Sequence, residues 1–325
     1  MASTLVDESL PFSAWWPLVA GAMVGIVLRL GFSGSHGLPD PMHWAFIYLT
    51  PMAVGAVTVY LAERQERRTF AYYAWAPVIA TAIFVLGTLL ILVEGLICAV
   101  LIVPLFAVLG LVGGLIMGIV CRVTNWPRHA AYAFAVLPLL VGIAAPEEAH
   151  DPREARVATV ARSIVVAAPA DVIWRHIREV RDIRPEEVGD AWIYRIGVPL
   201  PVAGVTQQEP SGLVRKITMG KRIHFDQVVA DWDENRRVRW TYRFDEDSFP
   251  AGALDDHVRI GGRYFDLVDT EYTLVPVDAR TTSLSIRIRY RVSTDFDWYA
   301  NALARILVGN FEEVILRFYD RRAAR

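Results

Sequence analysis

His224 and Asp226 stand two residues apart in the run "RIHFDQVVADW". On an extended chain that spacing puts an imidazole and a carboxylate on one face, where the carboxylate can orient the ring as a general base. The polar edge of an exposed strand has the same composition, so both readings stay open. His36, Asp40 and His43 in "GSHGLPDPMH" are metal ligands by residue type. Pro39 and Pro41 deny them a helical presentation, and a zinc site takes three or four ligands in fixed geometry. The segment reads as a turn-rich loop, and no metal is expected. The sequence holds no H-E-x-x-H, no G-x-S-x-G, no glycine-rich phosphate loop after a strand and no cysteine beyond Cys121. No catalytic residue and no cofactor is therefore assigned by motif.

The elements that must position any site divide unevenly. The first 150 residues hold six Lys or Arg against eight Asp or Glu, and the remaining 175 hold 27 of each. A strongly charged half without net charge lacks the basic surplus that a nucleic-acid partner requires. Mean hydropathy is +0.32, carried by the first half, which predicts a membrane region followed by a water-soluble domain. Lys occurs only at 216 and 221, an Arg bias that fits a GC-rich bacterial genome, and with the membrane region the expected location is a bacterial inner membrane. Cys98 and Cys121 are 23 residues apart. Along one helix that is roughly 35 Å, too far for a disulfide.

Apolar runs predict four or five membrane helices at about residues 15–32, 44–62, 74–93, 96–120 and 130–145 within a region 1–146. The stretch from Ala74 to Val120 has one charge, Glu94, beside Gly95; twice the length a bilayer needs, it must turn there. Arg64, Arg67, Arg68, Arg122 and Arg128 fall in loops on one side. The positive-inside rule puts those loops and the N-terminus in the cytoplasm. If the fifth run crosses, the second domain is periplasmic; if it only dips in, that domain is cytoplasmic. Arg29 and Glu94 fall at the same side and are candidates for an intramembrane ion pair. Gly110, Gly114 and Gly118, with Gly21 and Gly25, let helix backbones approach, either inside one subunit or in a homo-oligomer.

Residues 147–155 read as a linker, and 156–325 as an α+β domain. "VRWTYRF" and "SLSIRIRYRV" alternate apolar and polar residues, the mark of antiparallel strands with one buried face. Further strands are predicted near 157–166, 202–208, 213–219, 222–230 and 270–275. Pro169 and Asp171 open a short helix with Ile173, Ile177 and Val180 on one face. The chain closes on a long helix striped by Leu303, Ile306, Leu307, Phe311, Val314, Ile315 and Phe318, with Asp295 or Asp297 as its cap. The segment "DEDSFPAGALDDHVRIGG" is long and irregular enough to be either a lid over a cavity mouth or a disordered surface loop.

The opening "ARSIVVAAPADVIWRHI" resembles the first strand and helix of the START/polyketide-cyclase (SRPBCC) superfamily, with Ala168, Pro169, Ile173 and Trp174 at the matching positions. The resemblance runs over about residues 156–322 and includes the turn at 233–235. It implies an α-helical membrane bundle followed by a START-like helix-grip domain, a curved antiparallel sheet wrapped around a long C-terminal helix. It also implies a cavity that takes lipids, isoprenoids, sterols or polyketides, and it carries over no catalytic residue. Inward parity makes Trp174, Trp240, Tyr242, Phe244, Tyr290, Phe311 and Ile315 the expected wall. The expected partners are membrane lipids and an apolar small molecule. The alternatives are a cyclase, dehydratase or hydrolase on the same fold, and a sensor acting on a membrane partner.

Overall fold

The computed structural model describes residues 15–33, 39–124, 128–145, 156–210 and 212–324. The predicted linker and His36 lie outside the described residues. The chain forms two compact units, residues 1–95 with 99–149 and residues 96–98 with 150–325.

The first unit is helical: α1 (Trp16–Gly31), a π-helical turn (Ala45–Leu49) running into α2 (Thr50–Gln65), α3 (Phe70–Leu90), α4 (Leu96–Thr124) and α5 (Arg128–Ala144). Three helices, Ala45–Gln65, Phe70–Leu90 and Leu96–Thr124, are long and apolar enough to cross a membrane. Trp16–Gly31 is 16 residues long. That is about 24 Å of helix, short of the ~30 Å of a hydrocarbon core. The chain turns between α3 and α4 at residues 91–95, where Leu92 takes φ 57°. Arg29 donates to Glu94 through Nε and to the Phe32 carbonyl through Nη1, so its charge is met twice although the side chain is buried.

Glycine sets the closest approaches. A Cβ on Gly55 would lie 2.0 Å from the Gly110 carbonyl oxygen, and one on Gly113 would lie 2.1 Å from that of Met52. The backbones of α2 and α4 therefore touch, a distance no larger residue permits. Gly110, Gly114 and Gly118 face Thr81, Pro77 and Tyr73 of α3, and Gly21 and Gly25 face Thr58, Val54 and Phe84. These glycine rows are filled by neighbours within the same chain.

The second unit runs β1 (Val157–Val166), α6 (Ala170–Arg178), β2 (Glu179–Val180), α7 (Pro185–Val188), α8 (Trp192–Arg195), β3 (Pro201–Glu209), β4 (Gly212–Met219), β5 (His224–Asp233), β6 (Arg237–Arg243), β7 (Phe265–Asp278), β8 (Thr281–Val292) and α9 (Asp297–Ala323). The strands make one antiparallel sheet in the order β1-β8-β7-β6-β5-β4-β3-β2, a helix-grip-like half-barrel with α9 on its concave face. β2, α7 and α8 are too short to show in hydrophobic periodicity. The α9 stripe differs from expectation at its start, where Ile306 is exposed, and the buried face begins at Val308. Phe296 occupies the cap position, and Asp297 accepts from the Thr294 backbone and hydroxyl instead.

The two faces of the sheet divide the charges. On β8, Leu284, Ile286, Ile288, Tyr290 and Val292 point inward and are buried. The alternate arginines meet acids on the neighbouring strand: Arg287 with Glu271, Arg289 with Asp269, and Arg291 with Asp266, each the direct cross-strand partner. Cross-strand pairs of opposite charge stabilise by roughly 0.2–1 kcal/mol each.

Gly113→Val should force α2 and α4 apart at the cost of overpacking, roughly 1–3 kcal/mol or more. Melting of the detergent-solubilised full chain is expected to fall by several degrees, while Val108→Ala on an exposed part of α4 leaves it unchanged. Equal melting of Gly113→Val and wild type would rule out the close contact.

Candidate functional site

The concave face beneath α9 collects the bulkiest side chains of the second unit. Alternation on β6 turns Val238 and Trp240 inward, and β7 adds Tyr272 and Leu274, all buried with the β8 row. Ring edges meet ring faces: Trp240 against Tyr272 at 5.5 Å, Tyr272 against Tyr319 of α9 at 5.6 Å, and Trp174 of α6 against Trp232 of β5 at 4.9 Å. Of the predicted wall, Trp174, Trp240, Tyr290 and Ile315 lie in this cluster, and Phe311 packs half-buried at its margin against Tyr194. Tyr242 and Phe244 belong to a second cluster with Ile223, Phe225 and Ala253. There Phe249, Ala253 and Leu254 of the 245–262 segment cover the aromatic rings of β5 and β6. Gly261, at φ +73°, lies where a Cβ would come within 2.5 Å of Phe244, so glycine is required at this turn. The segment is tied by the buried Ser248, whose hydroxyl accepts from Asp245 N and whose carbonyl accepts from His224 N.

A polar row crosses the same concave face. Register sets Arg215 of β4 beside Gln227 of β5, and Gln227 beside Tyr242 of β6. Arg215 Nη1 donates to Gln227 Oε1 at 3.0 Å, and the Tyr242 hydroxyl shares a 2.6 Å hydrogen bond with Thr270 of β7. From above, the Tyr319 hydroxyl accepts from Arg215 Nη2 at 3.4 Å. Burial pushes the Tyr242 and Tyr272 phenols above their usual range, so both are neutral hydroxyls near pH 7. Among the described residues the indole N–H groups of Trp174 and Trp240 have no acceptor, although both side chains are buried. An unmet buried donor costs about 1–3 kcal/mol.

Glu312 of α9 is fully buried on this face. Its Oε1 accepts the Ile288 N–H at 3.2 Å, and its Oε2 has no partner among the described residues. Burial pushes its carboxyl up to about 8, with the Ile288 N–H and the Arg162 charge opposing. The group is thus a protonated acid at neutral pH, able to donate a proton inside an apolar wall.

The predicted His224–Asp226 pair faces the other way. Phe225 and Gln227 take the inward positions of β5, so His224 and Asp226 lie on the convex side. His224 Nε2 is 3.4 Å from Asp247, and Asp226 accepts from Arg243. Neither reaches the concave interior. Asp40 and His43 accept the backbone N–H groups of Met42 and Ala45, as loop residues do.

Arg215, Gln227, Thr270, Tyr319 and Glu312 were not singled out from sequence. The signal was a charged residue at an inward position: Arg215 shares parity with Ile217, and Glu312 sits among Val308, Ile315 and Tyr319 on the buried stripe of α9.

The Glu312 shift fixes a pH dependence. The folded chain holds a proton that the unfolded chain releases above about 4.5, so this stabilisation is full below about 4.5 and is lost as pH rises through about 8. Melting temperature minus that of Glu312→Gln should therefore decline across that window and level off above it. A difference that stays constant with pH would show that Glu312 does not titrate there.

No family model matches the chain, and no curated protein matches it. Among solved structures it is similar to the Zhui aromatase/cyclase from Streptomyces sp. R1128, at 17% identity over 52% of this chain and 95% of that one, with a TM-score of 0.34. A START superfamily protein from Mycobacterium smegmatis gives 15% identity, 51% and 97% coverage and a TM-score of 0.34. A norcoclaurine synthase point mutant from Thalictrum flavum, in complex with a transition-state analogue, gives 14% identity, 50% and 96% coverage and a TM-score of 0.27.

Proposed function

We propose that the second unit is a binding cup for an apolar molecule, held at a membrane by the helical first unit. The observation that carries this reading is the concave wall itself. Trp174, Trp240, Tyr272 and Tyr290 are buried there beneath α9, and two of their indole donors have no partner among the described residues. Buried Trp N–H groups usually find a partner. A guest with an acceptor in reach of those indoles removes the penalty, and its apolar surface contributes roughly 25 cal/mol per Å² removed from water. The three long apolar helices supply the anchor, with the arginine-bearing loops on the cytoplasmic side by the positive-inside rule. An isoprenoid, a lipid or a polyketide-like ring system fits such a wall.

A proton-transfer enzyme of cyclase, dehydratase or hydrolase type is the second reading, favoured by Glu312 alone. In that case a guest incubated with wild type would be chemically altered, and one incubated with Glu312→Gln would not.

The full chain, purified in detergent and extracted with organic solvent, is expected to yield an apolar molecule by mass spectrometry. Trp240→Glu should lose it. Ile315→Trp, which adds bulk to the same interior without adding charge, should retain less than about a tenth. Wild-type protein that is clean of guest and binds no lipid offered to it would count against the cup.

A further inference from the structure

Arg29 and Arg215 are the two buried arginines among the described residues. Arg29 has Glu94. The buried acids of the second unit outside the concave face are likewise paired: Asp269 with Arg289, Glu271 with Arg287, and Glu187 with Arg322. Arg215 stands apart. Its partners are the Gln227 amide, the Tyr319 hydroxyl and the face of Trp240, whose ring centre lies 5.2 Å from the guanidinium carbon. All are neutral, no carboxylate lies within ion-pair distance of it among the described residues, and its Nε–H has no acceptor. A guanidinium cannot shed its proton inside a protein, and burying it unpaired is strongly unfavourable.

The space around it is shaped for the group. Gly204 of β3 lies beside it, where a Cβ would come within 2.7 Å of Nη2, 2.8 Å of Cζ and 3.0 Å of Nε. Any other residue on that strand would push the guanidinium away. Nε–H and the neighbouring Nη2–H project in parallel, and Nη2 holds Tyr319 only loosely at 3.4 Å. That fork matches the two oxygens of a carboxylate.

We propose that the concave interior takes an apolar carboxylic acid, whose carboxylate is held by Arg215 and whose apolar body lies along Trp240 and Tyr272. The inference rests on the cup reading above and names the guest's class. One buried cation meets one monoanion; a phosphate dianion would leave a second buried charge unpaired. Gln227 and Tyr319 keep the guanidinium in plane, and Gly204 keeps room for it.

The test is competition for a fluorescent lipid bound to the full chain in nonionic detergent at about pH 7.5, using hexadecanoic acid and hexadecanol. A charge-assisted hydrogen-bond pair in a buried site makes the acid about tenfold or more the stronger competitor. Arg215→Gln should bring the two within about twofold, and Gly204→Val should weaken the acid more than the alcohol. Equal competition by acid and alcohol on wild type would overturn the assignment to Arg215 and leave the cup standing. Competition by neither would overturn the cup and this inference with it. The wild-type comparison uses no substitution, so a variant that fails to fold does not blunt it.

Discussion

The two-residue period of β7 and β8 holds the second unit together, because it sorts charge to one face and apolar bulk to the other in the same register. Arg287, Arg289 and Arg291 find Glu271, Asp269 and Asp266 directly across the ladder. Ile286, Ile288 and Tyr290, one step out of phase, face α9. A slip by one residue would carry three arginines into the apolar interior and three apolar residues into water, so the pleat excludes every odd shift of register. The salt bridges contribute modestly to stability as half-exposed pairs. Their larger effect is specification among the even shifts, since only the observed alignment sets all three arginines directly opposite an acid.

That alternation is why so much of the second unit could be read from residue order. "SLSIRIRYRV" can be only a strand with one wet face, and the stripe ending in Phe318 only a helix laid on something apolar. The elements that escaped are the ones too short to show a period: β2 with two residues, and α7 and α8 with four each. Their boundaries depend on tertiary contacts, such as Glu187 of α7 receiving Arg322 of α9. The helical unit was readable for a different reason, since unbroken apolar runs interrupted by Glu94 and Gly95 admit few arrangements. Its close contacts depend on single glycines against backbone, as at Gly55 and Gly113, and follow from neighbours the sequence does not identify.

The candidate site was less legible, and the reason is chemical. Parity sorts residues by type, so it found the aromatics and treated every charge as solvated. His224 and Asp226 drew notice because they resemble a catalytic pair, yet they occupy the outward positions of β5. Arg215 and Glu312 looked like surface residues, yet they occupy inward ones. Only the known pairing of β4 with β5, and of α9 with β8, separates the two cases.

A folded chain can bury an ionisable group by pairing it or by changing its protonation, and this molecule contains both. Asp269 and Glu271 are paired on the convex face. Glu312 has no partner charge bonded to it and solves the problem by keeping its proton. A carboxyl can do so because its ordinary titration lies only a few pH units away; a guanidinium stays protonated inside proteins. The same burial that neutralises Glu312 therefore leaves Arg215 charged. Its hydrogen bonds to Gln227 and Tyr319 satisfy donors without cancelling that charge. On the proposal above, compensation comes from an anion on a bound molecule, and the Trp240 face beside Arg215 suits one carried on an apolar body. A charge held open for a guest, as proposed above, is a third way.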